Sequence, residues 1–194
     1  MKLLSIAIPC YNSEKYMRKC IDSLLVGGED VEILIVDDGS TKDRTAEIAD
    51  EYEAQFPTIV RAIHKENGGH GSAVNTGIAN ATGLYFKVVD SDDWVKQDAY
   101  FKILDTLREL AGGGQALDML ISNYVYEKEG EHRKKVIQYR HILPVEDVHL
   151  EGLPSFYQGT LHTDAFCDLP YEAASGMRTE ASGAYFLCGQ SVCV

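Results

Sequence analysis

A chain of 194 residues is long enough for one full domain with a buried core, and its 30 acidic against 18 basic side chains give a net charge of −12. That balance excludes a broad nucleic-acid surface, which needs clustered Lys and Arg; the basic run His132-Arg133-Lys134-Lys135 is short and reads as a solvated loop. The apolar stretch within Met1 to Pro9 is too short for a membrane span or a secretory leader. Cys10, Cys20, Cys167, Cys188 and Cys193 form no CxxC pair and show no zinc-ligand spacing, so a cytoplasmic chain with reduced thiols is expected.

Leu3 to Pro9 is an apolar run closed by proline, which predicts a central strand and then a loop. Asn12-Ser13-Glu14 offers an N-cap to a helix whose residues Tyr16, Met17, Cys20, Ile21, Leu24 and Leu25 keep helical spacing until Gly27-Gly28. Val31 to Val36 predicts a second strand, Asp37-Asp38-Gly39-Ser40 a turn, and Asp43 the cap of a helix running to Tyr52. Val60 to His64 is a third strand, Gly71 to Ala81 a helix with a small-residue face, and Tyr85 to Val89 a fourth strand. Beyond these, Lys96 to Leu110 carries Tyr100, Ile103, Leu104 and Leu107 on one helical stripe and stops at Gly112-Gly113-Gly114. Leu117 to Tyr126 and Lys135 to Tyr139 read as strands about a charged turn at Lys128 to Glu131.

Short apolar strands alternating with helices predict an α/β fold of three layers, α/β/α, around a largely parallel sheet. Ligands in such sheets gather at the carboxyl ends of the strands. Those ends carry Pro9-Cys10-Tyr11-Asn12, Asp37-Asp38-Gly39-Ser40 and Asp90-Ser91-Asp92-Asp93, so the unusual polar chemistry converges on one edge. Three carboxylates within the four residues 90–93 repel one another unless solvent or a cation intervenes. A divalent cation carrying a phosphorylated ligand fits, and an all-oxygen set suits Mg²⁺ or Mn²⁺. The plainer reading is an acidic cap for the next helix. Gly68-Gly69-His70-Gly71-Ser72 opens a helix that could face phosphate. It is a poor dinucleotide motif, because Val74 stands where a small residue belongs and the segment follows the third strand. His70 reads equally well as a site residue and as a polar helix start.

With these motifs in view, the chain resembles the family 2 glycosyltransferases of GT-A fold, in particular bacterial enzymes that build cell-surface polysaccharides. The resemblance rests on Ser5 to Asn12, on Val36-Asp37-Asp38-Gly39-Ser40-Thr41 with Asp43, on Glu66-Asn67-Gly68-Gly69 with Asn75-Thr76-Gly77, and on Asp90-Ser91-Asp92. It implies a nucleotide-diphosphate sugar, with UDP expected, held by Pro9, Tyr11, Asn12, Asp37, Asp38, Asn67, Gly68, Asn75, Asp90 and Ser91. Tyr11 would lie against the base and Asp38 would accept the ring N–H of a uracil. Asp90, Asp92 and Asp93 would divide between the ribose hydroxyls and a Mn²⁺ or Mg²⁺ bridging the diphosphate. The implied reaction is sugar transfer with inversion to a saccharide or lipid-linked acceptor, in the cytoplasm and compatible with a peripheral seat on the inner face of the membrane. Val74 stands where the family commonly has Arg, which removes one phosphate contact. Two alternatives stand beside this reading: a catalytically silent nucleotide-sugar-binding fragment, and a nicotinamide-dependent oxidoreductase, which would need a Gly-rich turn where Pro9-Cys10-Tyr11-Asn12 stands.

The resemblance weakens after Gly159-Thr160-Leu161-His162-Thr163, where the family would supply its catalytic base. Residues 164–194 contain no Ile, Lys or Asn and hold three of the five cysteines. We therefore expect a nucleotide-sugar-binding domain over residues 1–163 and an irregular, incomplete tail over 164–194 produced by a frameshift near codon 164. Codons permitted for the tail, read one base later, can encode an amphipathic helix and an acidic segment like the family's base region. The base is accordingly unassigned, with Asp164, Asp168 and Glu172 merely available.

Overall fold

The computed structural model describes residues 1–112 together with 119–122, 124–126, 135–137, 148–149, 160–162 and 185–188. Strands β1 (Leu4–Cys10), β2 (Val31–Asp37), β3 (Val60–His64) and β4 (Tyr85–Val88) alternate with helices α1 (Met17–Leu25), α2 (Thr45–Gln55) and α3 (His70–Asn80), and α4 (Gln97–Gly112) follows. Every residue of β1 and β2 is buried, as strands covered on both faces must be. Residue alternation then assigns each face its own helices.

On one face, Leu4, Ile6 and Ile8 lie in register with Val31, Ile33 and Ile35. They share a core with Met17, Cys20, Ile21 and Leu24 of α1, Ile48 and Ala49 of α2, and Leu104 and Leu107 of α4. Each such aliphatic side chain contributes about 1.5–3 kcal/mol by burial. Helix α3 covers the other face, where a Cβ at Gly77 would run into that of Ala7. Glycine there lets helix and strand approach closely. Its propensity cost of about 1 kcal/mol is offset by burying Ala73 and Val74 against the sheet.

The sheet order is β3-β2-β1-β4-β10-β5-β9-β8, completed by β5 (Met119–Ile121), β8 (Val148–His149), β9 (Thr160–His162) and β10 (Tyr185–Cys188). All its pairings are parallel except that of β8 with β9. The chain builds outward from β1 through β2 to β3, then returns to the far side of β1 as β4. That reversal opens a crevice at the carboxyl ends of β1 and β4, the usual ligand position in open α/β sheets.

Two departures from the sequence reading have local causes. Helix α1 starts at Met17 without a side-chain cap, because the Ser13 carbonyl, and not its hydroxyl, receives the N–H groups of Tyr16 and Met17. The single run expected over Leu117–Tyr126 is divided: β5 joins the main sheet, while β6 (Tyr124–Tyr126) pairs antiparallel with β7 (Lys135–Ile137). Four residues of the tail, Tyr185–Cys188, pair between β4 and β5; the rest of 164–194, with Asp164, Asp168 and Glu172, lies outside the described residues. Among the described residues no helix is long and apolar enough to cross a membrane.

Candidate functional site

The loops at the carboxyl ends of β1, β2, β3 and β4 are tied into one rim. Pro9 sits in β1 in register with Val36, and the chain leaves the sheet through Tyr11, whose side chain is exposed. Asn12 takes a left-handed backbone with φ 51°. Its N–H donates to Ser40 Oγ at 2.9 Å, and its Oδ1 accepts the N–H groups of Thr41 (3.3 Å) and Lys42 (3.1 Å). Asn12 thus clasps the loop after β2, a role different from the helix cap its position suggests. Ser13 continues the link, its hydroxyl accepting from Ser91 Oγ at 2.9 Å.

Asp37 and Asp38 are both buried. Asp37 accepts the Ser40 N–H at 3.0 Å and meets His64 Nδ1 at 3.2 Å. The Asp38 carboxylate accepts from Lys65 Nζ, from Gly68 N–H at 2.9 Å and from Gly69 N–H at 2.7 Å, while Asn67 Nδ2 donates to the Asp38 carbonyl at 2.9 Å. Burial opposes ionisation of Asp38, yet Lys65 and the two N–H groups outweigh it and hold the carboxyl below its ordinary value. A carboxylate offers about four acceptor sites, so three are spent on building the loop over residues 65–69. Asn75 lies along α3, exposed, with no hydrogen bond to this rim among the described residues.

The acidic turn is less well satisfied. The Asp90 backbone carbonyl accepts from Asp93 N–H at 2.9 Å and from Cys20 Sγ at 3.5 Å. Its side-chain Oδ1 meets His70 Nε2 at 2.9 Å. Asp92 is exposed and Asp93 partly buried. Burial first, then repulsion from Asp92 and Asp90, pushes the Asp93 carboxyl up to about 7. Beneath the turn, Lys87 is buried in β4 in register with Ile6. Desolvation pushes its ammonium down to about 8 against the pull of Asp90 and Asp93.

The turn offers only oxygen donors, the chemistry of Mg²⁺ or Mn²⁺, and a cation would relieve the repulsion felt by Asp93. Among the described residues no three His, Cys, Asp or Glu side chains converge to hold a metal alone. The turn is therefore an open, partial ligand set, with one Asp90 oxygen committed to His70. Mg²⁺ commonly takes one or two carboxylates and completes its shell with phosphate oxygens and water, so these residues fit a cation that arrives with a diphosphate.

The structure brings Pro9, Tyr11, Asn12, Asp37, Asp38, Asn67, Gly68, Asp90 and Ser91 to one sheet edge and leaves Asn75 aside. Sequence reasoning missed the basic partners His64 and Lys65. Both stand at the end of β3, where the strand-end rule that found the other motifs could have flagged them.

Residues 5–155 match the family model of glycosyl transferase family 2, and the chain belongs to that family. It is 45% identical over 104 residues (53% of this chain, 30% of the relative) to the glycosyltransferase EpsJ of Bacillus subtilis (strain 168). It is 44% identical over 108 residues (55% and 16%) to a chondroitin synthase of Escherichia coli. Among solved structures, S. aureus TarS 1–349 in complex with UDP-GlcNAc superposes with a TM-score of 0.54 at 28% identity, covering 68% of this chain and 36% of that one. The chain spans less than half the length of each of these proteins. The fold is the GT-A arrangement of the TarS structures, and family membership, with Pro9-Cys10-Tyr11-Asn12 at the end of β1, sets the nicotinamide reading aside.

Proposed function

We propose that the domain over residues 1–163 binds a UDP-sugar at the carboxyl ends of β1, β2 and β4 and serves an inverting, cation-assisted glycosyl transfer to a saccharide or lipid-linked acceptor. The observation that carries this reading is the under-satisfied acidic turn at the topological switch point, beside a rim already tied together by hydrogen bonds. The likeness to a TarS structure in complex with UDP-GlcNAc supports the choice of nucleotide. Tyr11 offers an exposed ring for the base, and Asp38 Oδ2 keeps acceptor capacity for its ring N–H. Asp90 and Ser91 stand where the ribose would lie, with Asp92 and Asp93 as oxygen ligands for Mg²⁺ or Mn²⁺. When bound, the cation would offset the negative charge that develops on the departing diphosphate. A domain that ends at residue 163 leaves 164–194 as a candidate frameshift product, and resequencing the coding DNA across codon 164 tests its frame: a second open frame beyond that codon supports a frameshift, and its absence removes it.

The binding reading is tested by titrating the purified chain with UDP and GDP, each with MnCl₂ and with EDTA. UDP should bind tighter than GDP, and EDTA should weaken UDP by at least tenfold. Equal affinity for the two nucleotides, or indifference to EDTA, would overturn the donor assignment. Turnover of a UDP-sugar separates an active transferase from a silent donor-binding domain.

A further inference from the structure

His70 is the first residue of α3, and its position is fixed from both sides. Just before it, Gly69 holds φ 84° and ψ 167°, a backbone region open essentially to glycine alone. Gly69 is pinned there by its N–H on Asp38 Oδ2 at 2.7 Å. Just after it, Ala73, Val74 and Gly77 are buried and seat α3 on the sheet. The imidazole is thereby delivered across the crevice to Asp90, where Nε2 lies 2.9 Å from Oδ1.

The backbone of Asp90 is already secured by Asp93 N–H and Cys20 Sγ on its carbonyl. Its carboxylate, 35% exposed, has rotamer freedom that the His70 contact removes. Stability does not explain that contact: the His70 side chain is 65% exposed, and pairs this open are worth about 0–1 kcal/mol. A contact of little energetic worth that fixes a carboxylate at a ligand crevice is positional.

We propose that His70 is a positioning residue that holds one oxygen of Asp90 and so presents the other to the ribose hydroxyls of the donor nucleotide. The inference rests on the proposed donor reading, in which Asp90 faces the ribose. One segment, His64 to His70, then supplies partners to three carboxylates of the rim: His64 to Asp37, Lys65 and the Gly68 and Gly69 amides to Asp38, and His70 to Asp90.

The test compares the affinity of UDP with that of 2′,3′-dideoxy-UDP, both with Mn²⁺, in the wild type, His70→Ala, His70→Gln and Asp90→Asn, with thermal melts to confirm folding. The wild type should prefer UDP. Asp90→Asn should erase that preference. His70→Ala should weaken UDP by about 3- to 10-fold, the scale of one lost hydrogen bond, and leave the dideoxy probe unchanged. His70→Gln, whose Nε2 can donate from a similar position, should restore most of the preference. A preference lost in Asp90→Asn but intact in His70→Ala would overturn the role of His70 and leave the donor reading standing. A preference intact in Asp90→Asn would overturn the ribose assignment itself. Tighter UDP binding by His70→Ala would also overturn the proposal, because His70 would then compete with the nucleotide for Asp90.

Discussion

The two ends of the sheet treat acidic side chains in opposite ways. At the amino ends, Glu32 is buried, and its Oε1 accepts from the Ser5 hydroxyl, the Thr82 N–H, the Thr82 hydroxyl at 2.9 Å and the Gly83 N–H at 3.1 Å. These donors join β1, β2 and the entry to β4. At the carboxyl ends, Asp92 is exposed and Asp93 is pushed up to about 7 by burial and by its acidic neighbours. A buried carboxylate surrounded by local donors is a fastening, whereas carboxylates crowded together at a crevice are poised for something that is not part of the chain. Asp38 stands between the two, buried and mostly satisfied but located at the crevice.

The sharpest way to break this contrast is Glu32→Ala. It removes the acceptor shared by the buried Ser5 hydroxyl and the Thr82 and Gly83 donors and should destabilise the domain by about 1–3 kcal/mol, read from urea unfolding midpoints, while the folded fraction binds UDP with unchanged affinity. A loss below about 0.5 kcal/mol would mean water or a neighbour replaces the carboxylate, and the fastening role would fall. Asp38→Asn probes the intermediate case. Losing one acceptor beside Lys65, Gly68 and Gly69 should cost about 1–3 kcal/mol and weaken UDP more than GDP. Equal weakening of the two nucleotides would restrict Asp38 to building the 65–69 loop.

Asp92→Ala should behave in the reverse sense. Stability should stay within about 0.5 kcal/mol of the wild type, since an exposed carboxylate among like charges loses no donor, while Mn²⁺-dependent UDP binding should fall at least tenfold. Calorimetry with and without Mn²⁺ measures the second effect and a thermal melt the first. Unfolding of Asp92→Ala would make the acidic turn a structural cap.

What the sequence made legible follows the same division. Strands β1 to β4 and the helices between them could be read because burial on two faces and helical stripes leave periodic traces: Met17, Cys20, Ile21 and Leu24 are all buried. The polar motifs were legible as strand-end clusters. Partnership was not legible. His70 and Asp90 are 20 residues apart and Lys65 and Asp38 are 27 apart, and no local pattern marks which loop side chain meets which carboxylate. The division between β5 and β6 was hidden for a similar reason, since alternation over Leu117–Tyr126 does not reveal that the two halves join different sheets.

The smallest effect concerns His64, which bridges Asp50 Oδ1 at 2.9 Å and Asp37 Oδ2 at 3.2 Å. Asp50 first, and then Asp37, raise its pKa above the ordinary value, with partial burial acting against them. For a base whose folded pKa is raised, the folded state binds the proton more tightly than the unfolded chain does. Its contribution is therefore complete below the unfolded value of about 6.5 and is lost as pH climbs through the folded one. With 42% of its side chain exposed, solvent screening keeps this below about 1 kcal/mol. Urea midpoints from pH 5.5 to 8.5 should fall more steeply in the wild type than in His64→Gln, the pH range spanning the ordinary imidazole value of about 6.5. Comparing the two proteins is necessary because the Asp93 carboxyl, pushed up to about 7, titrates in the same window and with the same sign. Parallel slopes would show that His64 holds the end of β3 to β2 by neutral hydrogen bonds alone, which would leave Lys65 on Asp38 as the charged link in this part of the carboxyl-end rim.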